Sequence, residues 1–293
     1  MNISISDGVL RATIDTYGGK IVGLTDGRRE YIWQDTCCYW PDRAGILFPT
    51  SGRVYGGEMT YAGKRYAMPL HGFAYTSEMK LKHKSSSALV LTLSGDGTDG
   101  IYPFPFELRV TYTVTGKCLN VNATVTNTGV GEMYYTMGFH PWLNVPIESG
   151  HEFSEYSVCF PKAGDVHKCV MSDGVLDTGK REEYALCGNG IKLRHSLFDN
   201  DALMLDGTNG EAVILKKDGG MALALRYTGM PYIGLWHLEK REVPFLCLEP
   251  MTALPGRDGV TEDWSERKDV YRLERGQSKT TGIEIEILGN TGV

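Results

Sequence analysis

The chain has 293 residues, 42% of them apolar and 23% charged, and a formal net charge of −6. No run of about 18 apolar residues offers a transmembrane helix.

Taken in order, the chain reads as strand after strand. Ile3 and Ile5 alternate with serines, then Leu10, Ala12 and Ile14 alternate with Arg11, Thr13 and Asp15. The run Ile21 to Leu24 ends at the turn signal Thr25-Asp26-Gly27. Residues 34–75 break the rhythm, being dense in Trp, Tyr, Arg, Gly and Pro. Ala88 to Leu93 is a short apolar run. Gly95-Asp96-Gly97-Thr98-Asp99-Gly100 is formally a GxGxxG, but Pro103 and Pro105 follow where a phosphate-binding helix would start, so a plain turn is expected.

Phe106 to Val114 and Leu119 to Val125 alternate strictly and are joined by Gly116-Lys117, as in a hairpin. Glu132 to Phe139 reads as one strand ending at His140-Pro141. Residues 148–202 are polar and irregular, which predicts long loops. Ala212 to Leu215, Met221 to Leu225, Pro231 to Trp236, Phe245 to Leu248 and Ile283 to Leu288 complete the strand pattern. No long helical stripe interrupts it, so the expectation is an all-β sandwich forming a single domain over 1–293.

Seven cysteines without CxxC spacing, two of them adjacent at Cys37-Cys38, argue against a disulfide framework and for a reducing, cytoplasmic compartment. The N-terminus lacks the basic and apolar regions of a secretory signal, so the sequons at Asn2 and Asn122 carry no weight. There is no P-loop, GxSxG or HExxH. His167 and Cys169 are the nearest metal-like pair and have no second pair beside them, so no metal is expected.

Several polar residues stand where chemistry is possible, each with an ordinary structural alternative. Arg53 follows Gly52 and offers a rigid fork for vicinal hydroxyls, or a surface ion pair. His71, between Leu70 and Gly72, and His140, between Phe139 and Pro141, can titrate near neutrality or serve as packed polar rings. Glu249 ends the apolar run Phe245 to Leu248 and precedes Pro250. Burial there raises a carboxyl pKa and suits it to proton transfer, whereas a solvated strand end does not. Asp201 and Trp236 are further candidates for the same cleft.

The set LFPTSGRV, PLHGFA, GFHPWLNVP and PFLCLEPMT, in this order and over nearly the whole chain, resembles the aldose 1-epimerase (galactose mutarotase-like) superfamily, most nearly its LacX-like bacterial branch. The resemblance implies a large antiparallel β-supersandwich with few short helices and a sugar cleft. It also implies catalysis without a cofactor, by Glu249 as base and His140 as acid, with His71, Arg53, Asp201 and Trp236 binding substrate. The partner implied is a small sugar, and the chain a monomer or homodimer.

Two departures bear on the sugar more than on the chemistry. Tyr66 to Leu70 stands where galactose mutarotases carry an Asn-rich run, and Pro250-Met251-Thr252 stands where they carry a Gln. Relatives include enzymes of hexose 6-phosphates, for which Lys64 and Arg65 are possible phosphate ligands. A non-catalytic sugar sensor would need no Glu249–His140 pair. A glycosidase would need two carboxylates about 5–10 Å apart, such as Glu249 with Asp201.

Overall fold

The protein is described from a computed structural model covering residues 1–34, 45–173, 175–216 and 221–288. Cys37, Cys38 and part of the aromatic stretch after residue 34 lie outside the described residues. Among those described, strands dominate, and the helical segments are single 3₁₀ turns, the longest being His195–Phe198.

Two large antiparallel sheets build the sandwich. One has nine strands in the order 190–192, 156–159, 211–216, 221–228, 278–287, 118–127, 106–115, 88–95 and 80–84. The other, of eight, runs 176–183, 167–172, 203–206, 232–236, 245–251, 138–139 and 46–47, with Trp142–Asn144 also paired to Phe245–Met251. A three-stranded sheet of Asn2–Ser6, Arg11–Asp15 and Lys20–Thr25 and two small ribbons complete it.

Side-chain alternation explains the packing. In Phe106–Thr115, Phe106, Leu108, Val110, Tyr112 and Val114 are buried while their neighbours are not, because successive strand residues face opposite sides. Its partner Cys118–Asn127 buries Leu119, Val121, Ala123 and Val125 in register across the Gly116-Lys117 hairpin. Each such fully buried aliphatic side chain contributes about 1.5–3 kcal/mol. One apolar cluster contains Ile3 and Ile287 together with Phe139, Leu246 and Leu248 from the second sheet. Tyr112, inside it, meets its polar need by donating its hydroxyl proton to the Gly19 carbonyl at 2.5 Å.

Gly95–Gly100 is the expected turn: the Asp96 carboxylate accepts the Thr98 amide at 2.9 Å. One expectation needs correction. Glu132 to Phe139 is not one strand but two, in different sheets: Met133–Tyr135 pairs with Tyr271–Leu273, and Gly138–Phe139 pairs with Ile46–Leu47. Between them the Thr136 amide donates to the Pro49 carbonyl and the Met137 amide to the Thr252 hydroxyl, which turns the chain from one sheet to the next. Residues 148–202 mix irregular stretches with the short strands Tyr156–Cys159, His167–Ser172, Leu176–Glu183 and Gly190–Lys192. Leu176–Glu183, at the edge of its sheet, is mostly exposed, which is why it shows no alternation.

Candidate active site

Phe245–Met251 is buried along its whole length, and its two faces do different things. Leu246 and Leu248 enter the main core. Phe245 and Cys247 point the other way, into a second cluster with Trp33, Trp142, Val243 and the partly buried Trp236. By the two-residue period Glu249 shares that second face. Across the ladder it is paired with Gly234, whose lack of a side chain keeps the neighbouring position open: a Cβ there would stand 3.4 Å from that of Glu249 and 3.0 Å from Met204 Sδ.

His140 arrives from the neighbouring short strand. Phe139 is in the core, so His140 faces the Glu249 side. Its Nε2 lies 3.4 Å from Glu249 Oε1, and the two side chains are only 6% and 8% exposed. Trp142 stacks on the imidazole at 5.5 Å between centroids, and Trp236 meets it edge-on at 6.1 Å. His140 Nδ1 has no hydrogen-bond partner among the described residues.

His71 completes the group, its ring 5.2 Å from that of His140 in a T arrangement. It is held at positive φ, and its Nδ1 accepts the Gly52 amide at 3.2 Å, which leaves the ring proton of the neutral form on Nε2. Gly72 must follow, because a Cβ there would sit 2.2 Å from the Phe48 carbonyl oxygen.

Asp201, also at positive φ, accepts a hydrogen bond from the Trp236 side chain. It is near enough to Glu249 to raise that carboxyl, and Arg53 is near enough to lower the pKa of Asp201. The structure therefore brings together all six residues singled out in the sequence. Arg53 alone among them is exposed. Arg65, the possible phosphate ligand, is instead ion-paired with Glu58 at 2.6 Å on an exposed ribbon.

Burial sets the protonation of the pair. Glu249 is pushed up to about 8, first by burial and then by the Asp201 charge. Burial, reinforced by His71, holds His140 well below the ordinary imidazole range. Asp201 is itself raised to about 6 by burial. At neutral pH the pair thus holds one titratable proton, on the carboxyl rather than the ring. This reverses the resting state expected from the sequence, and desolvation is the reason: a neutral acid beside a neutral imidazole avoids two buried charges.

Sequence reasoning passed over Cys247 and Gly234, though the first was within reach. Cys247 is two residues before Glu249 on an evident strand, hence on the same face, and is wholly buried. Gly234 needed the cross-strand register, which pattern alone does not supply.

Comparison with known proteins agrees with this architecture. The family model described as aldose 1-epimerase matches residues 1–239. The LacX protein of Lactococcus lactis subsp. lactis is 29% identical over 266 residues, covering 87% of this chain and 88% of that one. A galactose mutarotase-like protein from Lactobacillus casei superposes with a TM-score of 0.90 at 27% identity, over 98% of this chain and 100% of the other. The galactose 1-epimerase of Lactobacillus acidophilus shares the fold, with a TM-score of 0.70 at 13% identity over 99% and 94% of the two chains. By sequence and fold together, the chain belongs to the aldose 1-epimerase family.

Proposed function

We propose that the protein interconverts the α and β anomers of a hexopyranose, with Glu249 and His140 as its proton-transfer pair. The observation that carries this reading is the buried contact of 3.4 Å between His140 Nε2 and Glu249 Oε1, on the face of the strand Phe245–Met251 turned away from the main core. Ring opening needs one group to take the O1 proton and one to protonate the ring oxygen. A pair holding a single proton has that stoichiometry.

Sugar hydroxyls entering the site supply the hydrogen bonds that its apolar walls lack, and so favour transfer of the Glu249 proton to His140. Glu249 then takes the proton from O1, the O1 electrons form the carbonyl, the C1–O5 bond breaks, and O5 receives the His140 proton. Rotation about C1–C2 and closure by the reverse steps deliver the other anomer and restore the pair. Each positioned group is worth roughly 10²–10⁴-fold. His71, with its proton on Nε2, orients a hydroxyl, and so do Asp201 and Arg53, while Trp236 walls the site.

The side chain 3.4 Å from the Glu249 carboxyl is an imidazole, which favours an epimerase over a glycosidase with two carboxylates. Arg65 is held by Glu58 only in an exposed ion pair, so the assay covers both free aldoses and their 6-phosphates. Polarimetry on pure α-glucose or α-galactose, against buffer alone, tests the activity. No acceleration with several aldoses or their 6-phosphates would refute it and leave a sugar-binding protein.

A further inference from the structure

Cys247 has no role in that mechanism, yet its position is chemically consequential. Its sulfur, one ring nitrogen of His140 and one carboxylate oxygen of Glu249 all lie within 4.8 Å of one another, and all three residues are buried. Thiolate, imidazole and carboxylate are the three donor types that a zinc-like ion takes from proteins. We propose that these three side chains form a binding site for a thiophilic divalent cation such as Zn²⁺, and that the ion inhibits the enzyme by occupying the proton-transfer pair.

The distances decide how much movement is needed. With Zn–N and Zn–O bonds near about 2.0–2.1 Å, a tetrahedral ion sets its N and O ligands about 3.3 Å apart, and sulfur at about 2.3 Å from the metal lies about 3.5 Å from either. The His140 Nε2 to Glu249 Oε1 distance, 3.4 Å, is already that edge. The Cys247 sulfur, within 4.8 Å of one nitrogen of His140 and one oxygen of Glu249, must close by about 1.3 Å at most to reach the ligand spacing of a tetrahedral ion. Three protein ligands leave the fourth position open. Ligation releases the thiol proton, and any proton held by the pair, to solvent. The ion then holds the two lone pairs that ring opening requires. Local spacing in the sequence does not reveal this set, because His140 comes from a different strand.

Metal binding as such does not depend on the proposed epimerase activity; only the inhibition does. Co²⁺ added to the full chain under a phosphine reductant should produce a near-ultraviolet thiolate-to-cobalt absorption that saturates at one ion per chain and is displaced by Zn²⁺. The absorption should vanish in Cys247→Ser, with the fold checked by circular dichroism. No absorption in the wild type, or absorption that survives Cys247→Ser, overturns the site. If the serine variant fails to fold, zinc X-ray absorption on the wild-type chain reads the ligands directly. One sulfur among the ligands supports the site, and none, or more than one, overturns it. Zn²⁺ should also slow mutarotation, and Cys247→Ser should resist it relative to its own uninhibited rate. Cobalt absorption without inhibition of measurable mutarotation would keep the metal site and overturn the inhibition, and with it the assignment of the pair.

Discussion

Replacing Glu249 by Gln should make the protein more stable and inactive, with the gain in stability depending on pH. The unfolded chain releases this proton near the ordinary value of 4.5, whereas the folded chain keeps it until about pH 8. A carboxyl raised in the folded state binds more protons folded than unfolded across that window. Stability therefore falls as pH rises from 4.5 and levels off above 8. At pH 7 about 2.5 pH units of that window have been crossed, which at about 1.4 kcal/mol each is about 3 kcal/mol. Gln keeps the shape and never ionises, so the variant escapes the loss. For a chain of this length, with an unfolding entropy of about 0.6 kcal/mol per kelvin, 3 kcal/mol is about 5 °C in Tm. Calorimetry on both proteins at pH 4.5, 7 and 8.5 is the assay. The gap should be near zero at the first, about 5 °C at the second and larger at the third. A gap that is independent of pH, or a variant less stable at pH 7, would refute the burial argument for Glu249.

Four further outcomes follow from the same structure. Mutarotation above the buffer rate should fall as pH rises through about 8, where the pair loses its one proton, and fall again on the acid side below the ordinary imidazole range, where it gains a second. A pH–rate profile still climbing above pH 8 would count against a one-proton pair. His140→Asn should lower kcat by roughly 10²–10⁴-fold while leaving sugar binding partly intact, as read by kinetics and calorimetric titration. His71→Ala should raise KM and lower kcat together, because orientation contributes to both. Tyr112→Phe should cost about 1–3 kcal/mol in urea unfolding and leave turnover unchanged, since it strands the Gly19 carbonyl and removes no group that the mechanism uses.

Much of this was legible in the residues. The hairpin of Phe106–Thr115 with Cys118–Asn127 was written in strict alternation and a two-residue turn, both local signals. The strand carrying Glu249 was legible too as a continuous apolar run, although it does not end at the carboxylate: Pro250 and Met251 continue it, paired with Ile233 and Tyr232. What the sequence concealed was set by distant pairing. The division of Glu132 to Phe139 between two sheets depends on Pro49 and Thr252, 87 and 115 residues away from the groups they bind. The edge strand Leu176–Glu183 lacks alternation because so little of its surface is buried. Asp201, in a turn that carries no motif, stood out only weakly in the sequence, and its effect on Glu249 is visible only through the fold.

The protonation of the pair was beyond the sequence for a more general reason. A histidine and a glutamate brought within 3.4 Å in water would hold the proton on the ring. Here the same contact lies among Trp142, Trp236 and the strand itself, and the absence of solvent moves the proton to the carboxyl. That dryness inverts the ordinary order of the two groups, so the carboxyl and not the ring holds the one proton that the proposed chemistry uses. The same dryness removes the water that would otherwise compete for a cation. A thiol on the same strand face then makes affinity for soft metals a consequence of the catalytic geometry. If Cys247→Ser abolishes that affinity while Glu249→Gln raises stability, both effects trace to one choice: a polar pair placed on the face of a strand that the core does not use.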